Sequence, residues 1–310
     1  MKDVVEGQVS QLNPLLAILV SMRPRQWIKN LVVFAALVFA QRLTDPIPLL
    51  RATVGALLFT AVSGGVYIIN DLFDADRDRR HPAKAGRPIA SGALGTVPAL
   101  TVSLLVLVAS LMAGFTVSPP FGAVLLAYVA LNGAYSLWLK EVVILDVMTI
   151  AAGFVMRAVA GGLIIDVKIS AWLILCTILL SLFLAFCKRR QELVVLEAAP
   201  EHRSILREYS VEFIDQMINV VTASTVVAYA LYTLSPEVEL KLGTRHLYLT
   251  VPFVLYGIFR YLYLVHRRNA GDSPTQAFLT DRALLACVGL WGLAVILLLY
   301  AGAPPAAWRP

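Results

Sequence analysis

The run Ala61-Val62-Ser63-Gly64-Gly65-Val66-Tyr67-Ile68-Ile69-Asn70-Asp71-Leu72-Phe73-Asp74-Ala75-Asp76-Arg77-Asp78 decides how this chain is read. An apolar stretch passes without a break into four aspartates. At 100° and 1.5 Å per residue, Asn70, Asp74 and Asp78 share a helical arc of about 80°, on a stripe about 12 Å long. Asp71 flanks that stripe. Carboxylates spaced i, i+4 repel by a few tenths of a kcal/mol per pair, and a helix C-terminus disfavours anions. Stability does not account for them, so a cation must. Magnesium fits, as a hard ion held by one or two carboxylates and completed by water and phosphate oxygens. The plainer alternative is a solvated helix end whose acids pair with Arg77, Arg79 and Arg80. The regular four-residue spacing, begun by an amide inside the apolar span, favours the metal.

Outward from this run the chain remains apolar. Of its 310 residues 59% are hydrophobic and 15% charged, against about 25% charged in a soluble domain, and its mean hydropathy is +0.76. A membrane helix needs about 20 apolar residues. Nine runs qualify: 27–45, 50–70, 96–116, 119–138, 142–165, 171–188, 214–235, 247–266 and 282–301. They leave no room for a large soluble domain. The fold expected is all-α, a bundle of nine transmembrane helices. Residues 1–26 form an N-terminal segment, in which 14–24 read as an amphipathic helix at the headgroup level, and 27–310 form the membrane domain. No cleavable signal is evident, and 1–13 lack periodicity. Cys176, Cys187 and Cys287 lie in or beside apolar segments and read as packing residues. No two histidines have ligand spacing.

Charge sets the orientation. With the N-terminus inside, cytoplasmic segments carry 18 Lys and Arg and external ones 6. The positive-inside rule then predicts a cytoplasmic N-terminus and an external C-terminus. The net charge of +6 thus reports topology and anionic headgroups, not nucleic acid. Two long charged loops, 71–95 and 188–213, fall on the cytoplasmic side.

After the acids comes Arg79-Arg80-His81-Pro82-Ala83-Lys84-Ala85-Gly86-Arg87-Pro88-Ile89. An acidic stripe with an adjoining basic loop is what a magnesium-bridged diphosphate requires, the metal taking some oxygens and Arg and Lys the rest. Within the fifth run, Asp146 and Arg157 share a helix face but lie about 16 Å apart. Each needs a partner elsewhere: for Arg157 a substrate phosphate or an acid on another helix. Lys140, which follows Tyr135-Ser136-Leu137-Trp138-Leu139, could contact phosphate or snorkel. Lys29 and Asn30 are similar.

Asn70-x-x-x-Asp74-x-x-x-Asp78 followed by Arg87-Pro88-Ile89-Ala90-Ser91-Gly92 resembles the first signature of the UbiA superfamily of intramembrane prenyltransferases. That resemblance covers essentially the whole chain. It implies that Asn70, Asp74 and Asp78, with Asp71 beside them, hold Mg2+ against a substrate diphosphate. Most members carry a second aspartate-rich motif at the end of the sixth span. Here that place reads Phe186-Cys187-Lys188-Arg189-Arg190-Gln191-Glu192-Leu193. Two acidic clusters suit one prenyl diphosphate. One acidic and one basic cluster suit two different anions.

The exchange resembles the decaprenyl-phosphate phosphoribosyltransferase branch, as do Arg23-Pro24-Arg25-Gln26-Trp27-Ile28-Lys29-Asn30 and Arg157-Ala158-Val159-Ala160-Gly161-Gly162. What that branch implies is phosphoribose transfer from 5-phosphoribosyl 1-diphosphate to a polyprenyl phosphate, for cell-wall arabinan precursors. Asp74, Asp78 and Lys188 would then be catalytic. Arg77, Lys84, Arg87, Tyr135 and Lys140 would bind the donor diphosphate. Lys29, Asn30, Arg157, Lys188, Arg189 and Glu192 would bind the lipid phosphate. The expected location is the inner (plasma) membrane, multi-pass, with the site facing the cytoplasm, and a homo-oligomer is compatible with this reading. The alternative is a prenyl diphosphate transferase acting on an aromatic or other small acceptor. A transporter fits less well, because the acids cluster at one face instead of the midplane.

Overall fold

The computed structural model describes residues 13–80, 84–196, 204–267 and 279–301. The protein is all-helical. Short α1 (Pro14–Ser21) leads into a 3-10 segment (Pro24–Phe34) and α2 (Ala35–Phe39). Then follow α3 (Pro46–Phe73), α4 (Ala75–Arg80), α5 (Thr96–Val117), α6 (Pro119–Leu137), α7 (Leu145–Ile164), α8 (Ala171–Leu196), α9 (Val211–Leu234), α10 (Pro236–Leu242), α11 (Val251–Arg267) and α12 (Arg282–Tyr300). Among the described residues, eight helical stretches are long and apolar enough to cross a membrane. They match the second to ninth expected runs.

The first run departs from expectation. Residues 24–34 wind as a 3-10 helix, entered through Arg23 in the left-handed region (φ 54°) with Pro24 at its first turn. Only five α-helical residues follow. At about 2.0 Å per 3-10 residue, the two pieces together still reach about 30 Å. The 3-10 segment lies directly against α7. A Cβ on Gly161 would stand 2.0 Å from the Val33 carbonyl oxygen, so α7 and the 3-10 backbone touch directly. Small residues allow such approach in membranes, where lipid offers apolar chains no worse a solvent than protein does.

Helix α1, Pro14–Ser21, falls within the expected 14–24 segment. Asn13 caps it by accepting from Leu15 N–H at 3.1 Å, but its outward residues Leu15, Leu16, Leu19 and Val20 are apolar. The charge lies just beyond it, in Arg23 and Arg25.

Two apolar clusters divide the bundle. One joins α2, α3, α5, α6 and the 3-10 segment through Val33, Leu37, Phe59, Val62, Leu107, Phe121 and Leu125. The other joins α8, α9, α11 and α12 through Phe183, Phe186, Ile214, Ile218, Tyr261 and Leu284. Helix α7 serves both, giving Ala160 and Ile164 to the first and Val147 to the second. Its Asp146 end therefore stands where the two halves meet. Cross-links there, from Ser136 to Asn70 and from Arg189 to Asp146, bring the acidic end of α3 and the basic end of α8 to one side.

Candidate functional site

Helix α3 ends at Phe73, yet the ladder continues: Asp74 N–H donates to the Asn70 carbonyl at 3.0 Å and Asp78 N–H to the Asp74 carbonyl at 2.8 Å. The i, i+4 relation among Asn70, Asp74 and Asp78 thus survives the short break into α4. Their counter-ions come from elsewhere than α4. Asp71, buried, pairs with Arg23 and with Arg87 at 2.9 Å. The same Arg87 guanidinium reaches Asp78, also buried, at 2.6 Å. Lys140 lies 3.4 Å from Asp74, whose side chain is 34% exposed. Asp76 alone pairs with its own helix, through Arg79 at 2.7 Å. Arg79 also donates to the Ala90 carbonyl at 3.2 Å, fastening the basic loop against α4. Arg77 lies on α4 and Lys84 opens the described part of that loop, where its carbonyl accepts from Arg87 N–H. Pro82 and Ala83, and the histidines at 81 and 202, lie outside the described residues.

Among the described residues, no three His, Cys, Asp or Glu side chains form a ready-made metal cage. The donors at the end of α3 are all hard oxygens, and Asp74 is far more open than Asp71 or Asp78. That set fits magnesium, which takes one or two carboxylates and leaves its other positions to water and phosphate.

The basic end of α8 is built differently. Arg189, Lys188 and Arg190 are successive on one helix and therefore point about 100° apart. Arg189 is 1% exposed; its Nε donates to Asp146, itself fully buried, at 2.6 Å. It also pairs with Glu192 and donates to the Tyr135 hydroxyl at 3.2 Å. Tyr209 completes the knot, donating to Asp146 at 2.7 Å while its oxygen accepts from Ile144 N–H at 2.6 Å. Burial, and then the bond to Asp146, push the Tyr209 phenol up to about 12, so it remains a neutral donor. Ile144 sits at φ 70°, a strained backbone for a β-branched residue. That strained turn starts α7 and sets Asp146. Arg190 is spent on Asp215 of α9 at 2.6 Å. Lys188, half-exposed, lies 3.6 Å from Glu192.

Arg157 is the other buried cation, 4% exposed, and it finds no carboxylate among the described residues. Its guanidinium donates to Asn30 Oδ1 at 2.8 Å, to the Gly153 carbonyl at 2.8 Å and to the Tyr128 hydroxyl at 2.9 Å. It stands over the rings of Phe59, Tyr128 and Phe154. Lys29 shares the Phe154 ring, 5.9 Å from its centre, and lies within electrostatic reach of Lys188, Arg157 and Arg23. Asn30 is held fixed: its amide nitrogen donates to Thr60 at 3.0 Å and Ser63 at 3.3 Å.

Of the residues expected to bind lipid phosphate, the structure thus groups Lys29, Asn30, Arg157 and Lys188. Arg189 and Glu192 are engaged with each other and with the framework. Arg157 meets neutral oxygens, with no acid from another helix among the described residues. Sequence reasoning did not assign Arg23, Ser136 or Tyr209 to the site. Arg23 lay within the quoted stretch before Lys29, whereas nothing in the sequence marks Tyr209, 63 residues from Asp146.

The chain is similar to known proteins over most of its length. The chain is 31% identical over 293 residues to a decaprenyl-phosphate phosphoribosyltransferase of Mycolicibacterium smegmatis, covering 89% of this chain and 91% of that one. It is 28% identical over 291 residues to a protein of the same name from Corynebacterium glutamicum, covering 90% and 86%. Its fold matches that of a UbiA homolog from Archaeoglobus fulgidus, solved bound to GPP and Mg2+, with TM-score 0.68 at 19% identity over 92% of this chain and 98% of that one. Residues 30–281 match the UbiA prenyltransferase family, and the protein is a multi-pass membrane protein that belongs to that family.

Proposed function

We propose that this protein transfers phosphoribose from 5-phosphoribosyl 1-diphosphate to a polyprenyl phosphate of decaprenyl type, releasing diphosphate. One observation carries the reading. The end of α3 is acidic and open at Asp74, whereas Lys29 and Arg157 both stand over the Phe154 ring with no carboxylate partner among the described residues. Two unlike sites suit two unlike anions. The relatives named decaprenyl-phosphate phosphoribosyltransferase support the same pair of substrates.

Asn70, Asp71, Asp74 and Asp78 would hold magnesium. Bound there, magnesium would supply positive charge to stabilise the departing diphosphate. Arg77, Lys84, Arg87, Tyr135 and Lys140 orient and neutralise the same diphosphate. Lys29, Asn30, Arg157 and Lys188 receive the lipid phosphate, and Arg189 with Glu192 holds Lys188 at its place. An oxygen of the lipid phosphate attacks C1 of the ribose, the C1–O bond to diphosphate breaks, and diphosphate departs with the electron pair. The phosphate monoester is already anionic, so no strong general base is required. Catalysis rests on positioning and charge stabilisation. The 3-10 segment and α2 make the ninth crossing, the N-terminus is cytoplasmic and the C-terminus external, and the site faces the cytoplasm of the plasma membrane. The product serves cell-wall arabinan synthesis.

The test is substrate choice by the purified protein in lipid nanodiscs. Diphosphate should be released from 5-phosphoribosyl 1-diphosphate only when decaprenyl phosphate and magnesium are both present. Consumption of a prenyl diphosphate with an aromatic acceptor instead would establish the alternative transferase.

A further inference from the structure

Helix α3 begins at the end of the bundle opposite the acidic stripe, with Pro46 about 42 Å from Asp74 by helix rise. Between this start and the end of α7 lies a cleft of about 410 Å3, with Arg42, Asp45, Arg51 and Asp166 among its lining residues. That volume falls in the range of small-ligand sites. Its walls are held in place. A Cβ on Gly55 would stand 2.8 Å from Ile164 Cδ1, so α3 and α7 pack directly. Leu43 N–H donates to the Tyr300 hydroxyl at 3.0 Å, the Gln41 side chain donates to the Leu242 carbonyl at 2.6 Å, and Val167 N–H donates to the Gly162 carbonyl at 2.9 Å.

The four charged side chains of the cleft are two of each sign, and they are used unequally. Arg42 and Asp45 satisfy each other at 3.0 Å. Arg51 and Asp166 are exposed, and neither has an ion-pair partner among the described residues. A cation and an anion that share one cleft without pairing suit a ligand that carries both signs. Apolar surface leads away from them. Ile47, Leu50 and Leu57 are exposed on α3 and fall within an arc of about 80°, with Arg51 about 40° beyond Ile47. A soluble zwitterion has no use for such a stripe, whereas a lipid does. We propose that this cleft binds the headgroup of a zwitterionic aminophospholipid, its phosphate on Arg51 and its ammonium on Asp166, with an acyl chain along Ile47, Leu50 and Leu57. A guanidinium fork can hold two phosphate oxygens at once, and a primary ammonium offers three N–H donors to a carboxylate. The site is independent of the transfer reaction.

The test is native mass spectrometry of the full-length protein, stripped of lipid in detergent and offered equal amounts of palmitoyl-oleoyl phosphatidylethanolamine, phosphatidylglycerol and phosphatidylcholine. Wild type should retain the ethanolamine lipid in preference to the other two. Arg51→Ala should bind it about tenfold more weakly, the loss of one charged hydrogen-bonding partner, and Arg51→Lys, which keeps the charge, should recover most of it. Asp166→Asn should lose the preference for ethanolamine while still binding phosphatidylglycerol. Lys168→Ala, close in sequence but outside the cleft lining, should change nothing. Equal retention of the three lipids by wild type, or unchanged ethanolamine binding in either Arg51→Ala or Asp166→Asn, overturns the proposal. A preference for phosphatidylglycerol in wild type overturns it too, and makes the cleft a site for anionic lipid.

Discussion

Arg157 and Arg189 are both buried, both project from membrane helices, and are used in opposite ways. Arg189 meets Asp146, Glu192 and a phenol. Its charge is consumed in joining α8 to α7. Arg157 meets an amide, a carbonyl, a phenol and three aromatic faces. Those partners hold a guanidinium without neutralising it. A buried cation is costly in a membrane, and one kept without a counter-charge is a charge available to a ligand. The difference separates a structural cation from a binding one, which position on a helix alone does not.

The same substitution should therefore give opposite results at the two sites. Arg189→Met leaves Asp146 buried without its cation, and should cost about 3–5 kcal/mol of stability, seen as a large fall in thermal midpoint in detergent. Arg157→Met removes an uncompensated charge, so the midpoint should hold or rise. Its loss should appear instead as about 100-fold weaker use of polyprenyl phosphate, or about 2.7 kcal/mol, with donor KM little changed. Equal destabilisation by both substitutions would erase the distinction.

Smaller effects sharpen it. Lys188→Ala should raise the lipid phosphate KM about tenfold, worth about 1.4 kcal/mol. A rise confined to the donor KM would move Lys188 to the acidic site. Arg79→Ala breaks only an exposed i, i+3 pair with Asp76 and one loop contact. Less than about 1 kcal/mol should be lost in a thermal melt, and a larger loss would mean that the basic loop is a structural support.

Much of this is legible in the sequence. Strong apolar runs translate directly into helices: 96–116 became Thr96–Val117 and 282–301 became Arg282–Tyr300. The acidic stripe followed from spacing, because i, i+4 contacts are local and the backbone ladder preserves them. The demand of Asp146 and Arg157 for partners other than each other was legible from helix rise alone. The identity of those partners was not. Arg23 reaches Asp71 across 48 positions and Ser136 reaches Asn70 across 66, and no periodicity encodes such meetings. The 3-10 winding of Pro24–Phe34 was hidden for a related reason. Composition does not separate i→i+3 from i→i+4 bonding, and direct contact with Gly161 is a tertiary fact.

The division of labour between the two sites meets its most direct test in paired binding titrations of wild type, Asp74→Ala and Arg157→Met with each substrate in nanodiscs. Asp74→Ala should lose magnesium-dependent binding of 5-phosphoribosyl 1-diphosphate and retain polyprenyl phosphate, while Arg157→Met should do the reverse. Loss of the same ligand by both variants would contradict two separate anion sites.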